Sequence, residues 1–133
     1  MSQENVERVR SAYEALARRD IEAIKALARE YPPAPGFEFE SVLTGQVYRG
    51  TQGVLDLAAD MWETVDYAPA AEEFIDAGAH VVAVLRISGR GAQSGVPVTQ
   101  QVGIVWTFEG ETLVRGQSFS SRAEALEAVG LSE

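Results

Sequence analysis

The stretch from Ala79 to Phe119 constrains the fold more than any other. Ala79, Val81, Ala83, Leu85 and Ile87 are all apolar, while the alternate positions turn polar at Arg86, Ser88 and Arg90. That is the period-two pattern of a strand, apolar on both faces at its start and on one at its end. A Gly-rich break from Gly89 to Gly95 reverses the chain. In the next run Val96, Val98, Gln100, Val102, Ile104, Trp106 and Phe108 share one face, which makes that face core and Gln100 its polar member. Glu109-Gly110 fits a two-residue hairpin loop leading to Leu113–Phe119. This register sets Trp106 opposite Leu113, Ile104 opposite Arg115, Val102 opposite Gln117 and Gln100 opposite Phe119, so that Gln100, Arg115 and Gln117 share a core-facing surface. A one-residue bulge would reverse the faces.

The preceding residues read as cover for this sheet. Val6, Val9, Tyr13, Leu16 and Ala17 form an apolar stripe at helical spacing after Ser2, with Arg8, Arg10, Glu14 and Arg18 on the wet side. Asp20 caps a second short helix carrying Ile21, Ile24, Leu27 and Ala28, which ends at Tyr31 and the prolines at 32, 33 and 35. Phe37 and Phe39 alternate with Glu38 and Glu40 in a first strand that runs on to Leu43. A loop from Gly45 to Gly50 precedes a third helix, capped by Thr51 and bearing Val54, Leu57, Ala58, Met61, Trp62 and Val65 on one side. A weaker strand around Glu72–Ile75 turns at Asp76-Ala77-Gly78, and Ser121-Arg122-Ala123-Glu124 has the form of a capping box opening a last short helix.

The 133 residues carry no cysteine and a single histidine, His80. Disulfides, thiolate chemistry and multi-histidine metal centres are therefore excluded, and a Ser-His-Asp triad is disfavoured. His80 reads as an exposed residue at a strand end. A formal net charge of -9 repels phosphate backbones and anionic lipid, so neither nucleic acid nor membrane is an expected partner. The N-terminus lacks the basic and apolar regions of a signal peptide, and the reading is a cytoplasmic protein of one domain, residues 1–133.

Three blocks, Tyr13–Asp20, Val47–Val54 and Val105–Leu113, with the ending Arg122–Leu131, resemble the nuclear transport factor 2-like superfamily, in particular its SnoaL-like branch. The resemblance implies an α+β fold, a cone-shaped curved mixed sheet wrapped around three N-terminal helices with a pocket inside. It also implies a homodimer through the outer sheet face. The apolar odd row of the Ala79–Ile87 strand is the surface expected to support that dimer.

The branch hosts isomerases, polyketide cyclases and hydrolases, so the fold does not name a reaction. In the steroid isomerase members a carboxylate base lies on the first strand, and Glu40 stands at the matching place; a carboxylate in a dry cavity suits proton abstraction beside a carbonyl. Arg86 or Gln100 is the expected holder of the oxyanion. Arg86, Gln100, Arg115 and Gln117 would form a polar cluster inside the cone, with Glu38 or Glu40 as the carboxylate partner of the arginines. The cyclase pattern is weakened by the aliphatic Ile104, where relatives carry a polar residue or histidine. Tyr13, Phe39, Trp62, Arg86, Gln100, Trp106 and Gln117 are the candidate ligand-binding residues, the aromatic ones as walls for a flat apolar molecule. The leading reading is a pocket for a small hydrophobic, polyketide-like or steroid-like molecule, with no metal or cofactor. An acid-base enzyme using Glu40, and an interaction module whose cone is filled by its own side chains, are the other two.

Overall fold

The computed structural model describes residues 2–42, 45–67, 70–91 and 97–131. The reversal expected from Gly89 to Gly95 begins later, because Gly89, Arg90 and Gly91 are still strand; residues 92–96, Leu43, and the side chains of Ser2, Met61, Val65 and Ile87 lie outside the described residues. The elements run α1 (Ser2–Ala17), α2 (Ile21–Glu30), β1 (Glu38–Glu40), β2 (Val47–Arg49), α3 (Gly50–Thr64), β3 (Val65–Tyr67), β4 (Ala70–Ala77), β5 (His80–Gly91), β6 (Pro97–Glu109), β7 (Thr112–Phe119) and α4 (Arg122–Ala128). The helices, the long hairpin strands and the closing helix are those expected, except that α3 already includes Thr51, expected as its cap, and that Val65, expected on its apolar side, opens β3. Asp20 caps α2 by accepting from the Ala23 N–H at 3.0 Å, and Ser121 caps α4 through the Glu124 N–H at 3.1 Å. The loop expected over Gly45–Gly50 instead contains β2, which pairs with β1.

The sheet is mixed, in the order β2-β1-β7-β6-β5-β3, with β4 also on β5; β1 runs parallel to β7 and every other pair is antiparallel. Helix α3 touches β1 and β2 near one edge and β3 at the other. Helix α3 therefore leads the chain from one edge of the sheet to the other. The inner face of the sheet joins Phe37, Phe39, Val81, Ala83, Leu85, Val102, Ile104 and Phe108 to Val6, Val9 and Tyr13 of α1 in one core. On the outer face α4 covers Val82, Val84 and Val105 through Ala125.

Two bulges decide which residues face inward. The β6–β7 loop is Gly110-Glu111, with Gly110 at φ 62°, one residue later than expected. A loop displaced by one residue shifts the pairing by two and keeps every face. The reversal comes from Val114, an extra residue on β7, since Phe108 pairs with Leu113 but Thr107 with Arg115. Beyond it Ile104 faces Ser118 and Trp106 faces Gly116, while Arg115 and Gln117 turn outward. The expected core-facing trio of Gln100, Arg115 and Gln117 is thereby dissolved. In β4 the extra residue is Glu72, after which Phe74 turns inward and Ile75 outward.

The apolar row expected to support a dimer is also relocated. Val81, Ala83 and Leu85 are interior, and their outward neighbours Val82 and Val84 lie beneath α4. Val81, Ala83 and Leu85 thus offer no apolar surface to a second chain.

Candidate functional site

Between α1, α2, α3 and the inner sheet face lies a cavity of about 190 Å³. Its floor is Leu85, Val102 and Ile104 of β5 and β6, and its helical side includes Tyr13, Leu16 and Leu57. The period-two rows of the sheet and the period-3.6 stripe of α1 converge there, so the wall is apolar almost throughout.

Three aromatic side chains form one end. The rings of Phe39 and Trp106 are 5.0 Å apart, those of Tyr13 and Trp106 6.4 Å apart and edge-on, and the Trp106 indole N–H donates to the Tyr13 hydroxyl at 3.1 Å. Gly116 makes the stack possible: a Cβ there would stand 2.6 Å from Trp106 and closer still to Phe39. Ser41 and Ser118 also line the cavity; the Ser118 hydroxyl accepts from the Val42 N–H at 2.7 Å and donates to the Glu40 carbonyl at 3.3 Å, which ties β7 to the end of β1.

The charged lining residues, Arg8 and Glu111, stand with Tyr31 at the mouth. The Arg8 guanidinium donates to Asn5 Oδ1 at 3.0 Å, to the Glu111 carbonyl at 3.2 Å and to the Glu111 carboxylate at 3.3 Å, and lies 4.0 Å from the centre of the Tyr31 ring. Asn5 is buried and donates to the Gly110 carbonyl at 3.0 Å, so the N-terminal turns of α1 are pinned to the β6–β7 turn.

Of the residues expected at the site, Tyr13, Phe39 and Trp106 are brought together in the cavity wall. Trp62 packs against the core behind it without lining it, and its indole N–H is buried with no hydrogen-bond partner among the described residues. Gln100 lies on the inner row of β6, partly buried, but outside the cavity lining. Arg86, at an even position of β5, is on the outer face, where it pairs with Glu72 at 3.0 Å. Gln117 and Glu40 are outside as well: the Glu40 carboxylate is bound by Arg115 at 2.9 Å, with the Gln117 amide at 3.5 Å. The Glu40 and Arg86 side chains are 44% and 48% exposed, so the dry base and inward oxyanion holder assigned to them are overturned by the strand register. His80 is partly buried rather than exposed, its Nδ1 hydrogen-bonded to the Thr107 hydroxyl at 2.9 Å.

Arg8, Asn5, Gly116 and Ser118 were not foreseen. Only Arg8 left a trace in the sequence, because it borders the stripe one turn before Ala12, another lining residue. Among the described residues no group of three or more His, Cys, Asp and Glu could hold a metal ion, and no helix is long and apolar enough to cross a membrane.

A nuclear transport factor 2-like protein of unknown function from Burkholderia pseudomallei superposes with a TM-score of 0.71 at 22% identity, over 95% of this chain and 97% of that one. A protein with a ketosteroid isomerase-like fold from Catenulispora acidiphila, in complex with trimethylamine, gives 0.70 at 17% identity, over 94% and 93%. TerC, co-crystallised with polyporic acid, gives 0.68 at 20%, over 94% and 97%. At these identities the likeness is one of fold. No curated protein matches the sequence significantly. The family model described as "SnoaL-like domain" matches residues 9–116, from within α1 to within β7, and the chain belongs to that family.

Proposed function

We propose that the protein binds a small, mostly apolar molecule in the cavity enclosed by α1–α3 and the inner sheet face. The observation that carries this reading is the cavity of about 190 Å³ itself, walled by Tyr13, Phe39, Trp106 and aliphatic side chains, with its charged groups confined to the mouth. An apolar hollow of roughly 150 Å³ is enough to take up benzene. Pockets for drug-sized ligands, and a four-ring steroid is one, occupy about 300 Å³ or more. The expected ligand is therefore one ring or a short chain, smaller than a steroid or a folded polyketide. Trimethylamine and polyporic acid in two proteins of the same fold support a small-molecule role.

Acid-base catalysis is not part of this reading, because among the described residues the cavity lining holds one carboxylate, Glu111, and it stands at the rim paired to Arg8. The homodimer implied by family resemblance is not supported by Val81, Ala83 and Leu85 of β5, which are interior. Sedimentation at micromolar concentration decides that point separately.

The test is a thermal-shift screen of single-ring and short-chain compounds, followed by tryptophan fluorescence in a Trp62→Phe background, where Trp106 alone reports. Saturable binders should raise the melting temperature and perturb Trp106. A screen in which no compound does either removes the proposal.

A further inference from the structure

We infer that the molecule held in the cavity is an amphipathic carboxylate, its apolar body inside and its carboxylate on Arg8 at the mouth; this rests on the binding reading above and names its ligand class. The argument begins with what holds Arg8. Its side chain is 17% exposed, and three neutral groups fix the guanidinium: the Asn5 amide oxygen, the Glu111 carbonyl and the Tyr31 ring. The remaining partner is the Glu111 carboxylate, 59% exposed and carried on a two-residue turn.

The cation is thus built into the wall, while its counter-ion hangs from the rim. If the Glu111 side chain rotates into water, Arg8 keeps its place and its charge faces the hollow uncompensated. A guanidinium is a planar fork matched to carboxylate, and charge-assisted bonds of this type are about twice as strong as neutral ones. Glu111 shows that a carboxylate fits there, and so occupies the position of the ligand's head group. An amine would have to settle beside a fixed arginine, which disfavours cations.

Benzoate, benzyl alcohol and benzylamine share one ring and differ in the head group, and their binding is measured by titration calorimetry. Benzoate should bind roughly tenfold more tightly than benzyl alcohol, the difference expected for one partly hydrated charge-assisted hydrogen bond, with benzylamine weakest. Arg8→Gln should abolish the preference for benzoate over benzyl alcohol. Glu111→Gln, which removes the internal competitor without touching Arg8, should tighten benzoate severalfold, and it tests the inference even if Arg8→Gln fails to fold. Equal binding of benzoate and benzyl alcohol, or benzoate affinity indifferent to both variants, overturns the carboxylate assignment and leaves the cavity reading standing. Preference for benzylamine would overturn it in favour of Glu111 as the receptor. Failure of all three probes to bind removes the carboxylate assignment, and the thermal-shift screen decides the cavity reading separately.

Discussion

The two faces of β1 and β7 are built from alternate residues of the same short strands, yet they obey different physics. Inward, Phe39 and Gly116 sit in a dry aromatic stack with Trp106; outward, Glu38 is paired with Arg49 at 2.8 Å and Glu40 with Arg115 at 2.9 Å, in water. The backbone hydrogen bonds are common to both, so the contrast isolates what side-chain burial adds. Apolar burial is worth kilocalories per ring, whereas exposed ion pairs contribute a few tenths to about 1 kcal/mol. The inner face therefore holds the fold, and the outer face is free to vary in charge.

That contrast is most easily broken at β1. Phe39→Ala should destabilise the protein by about 3–5 kcal/mol, while Glu38→Ala one residue away should cost less than about 1 kcal/mol. The measurement is the urea midpoint at unchanged slope. Equal costs would mean that the inner row is not the core. Gly116 sharpens the point from the opposite direction, by adding an atom instead of removing a ring. Gly116→Ala pushes a methyl into Phe39 and Trp106 and should cost about 1–3 kcal/mol with a change in Trp106 fluorescence. Gly36→Ala is its control, because a methyl there meets nothing within 4 Å, and it should be neutral or stabilising by up to about 1 kcal/mol.

The pattern of burial explains how far the sequence could be read. Helical stripes and the even row of β6 are repeated signals: Val6, Val9 and Tyr13 agree with one another, as do Val102, Ile104 and Phe108, so the elements and their apolar faces were legible. The site needed something the repeat does not contain, the parity between neighbouring strands. A single extra residue, Val114, reverses β7 relative to β6 and moves Arg115 and Gln117 out of the cone; β1, lying parallel to β7, presents Glu40 on the same outer side. Nothing in Leu113-Val114-Arg115 marks a bulge, since Val114 has the β-branched side chain of an ordinary strand residue. Arg8 was missed for a different reason: in sequence it is one more charged residue on a wet helix side, and only the arrival of Tyr31 and the Gly110-Glu111 turn makes it the edge of a cavity.

The smallest effect concerns the other bulge. Glu72, the extra residue of β4, accepts from the Gln101 amide at 3.0 Å and from Arg86 at 3.0 Å on the outer face. The Gln101 hydrogen bond first, then the Arg86 hydrogen bond and charge, hold its carboxyl below the ordinary value of 4.5. A carboxylate whose folded value is depressed binds fewer protons when folded than when unfolded, so it favours the folded state above pH 4.5, and that contribution fades as pH falls through the lower folded value. Glu72→Gln should accordingly narrow the gap in melting temperature between pH values on either side of 4.5, and Gln101→Ala and Arg86→Ala should each reproduce part of the change. The wild-type and Glu72→Gln curves should converge in acid below the folded value. A Glu72→Gln curve parallel to wild type would show that this outer contact carries no linkage, and that a bulge which brings three polar side chains together can still leave stability to the face behind it.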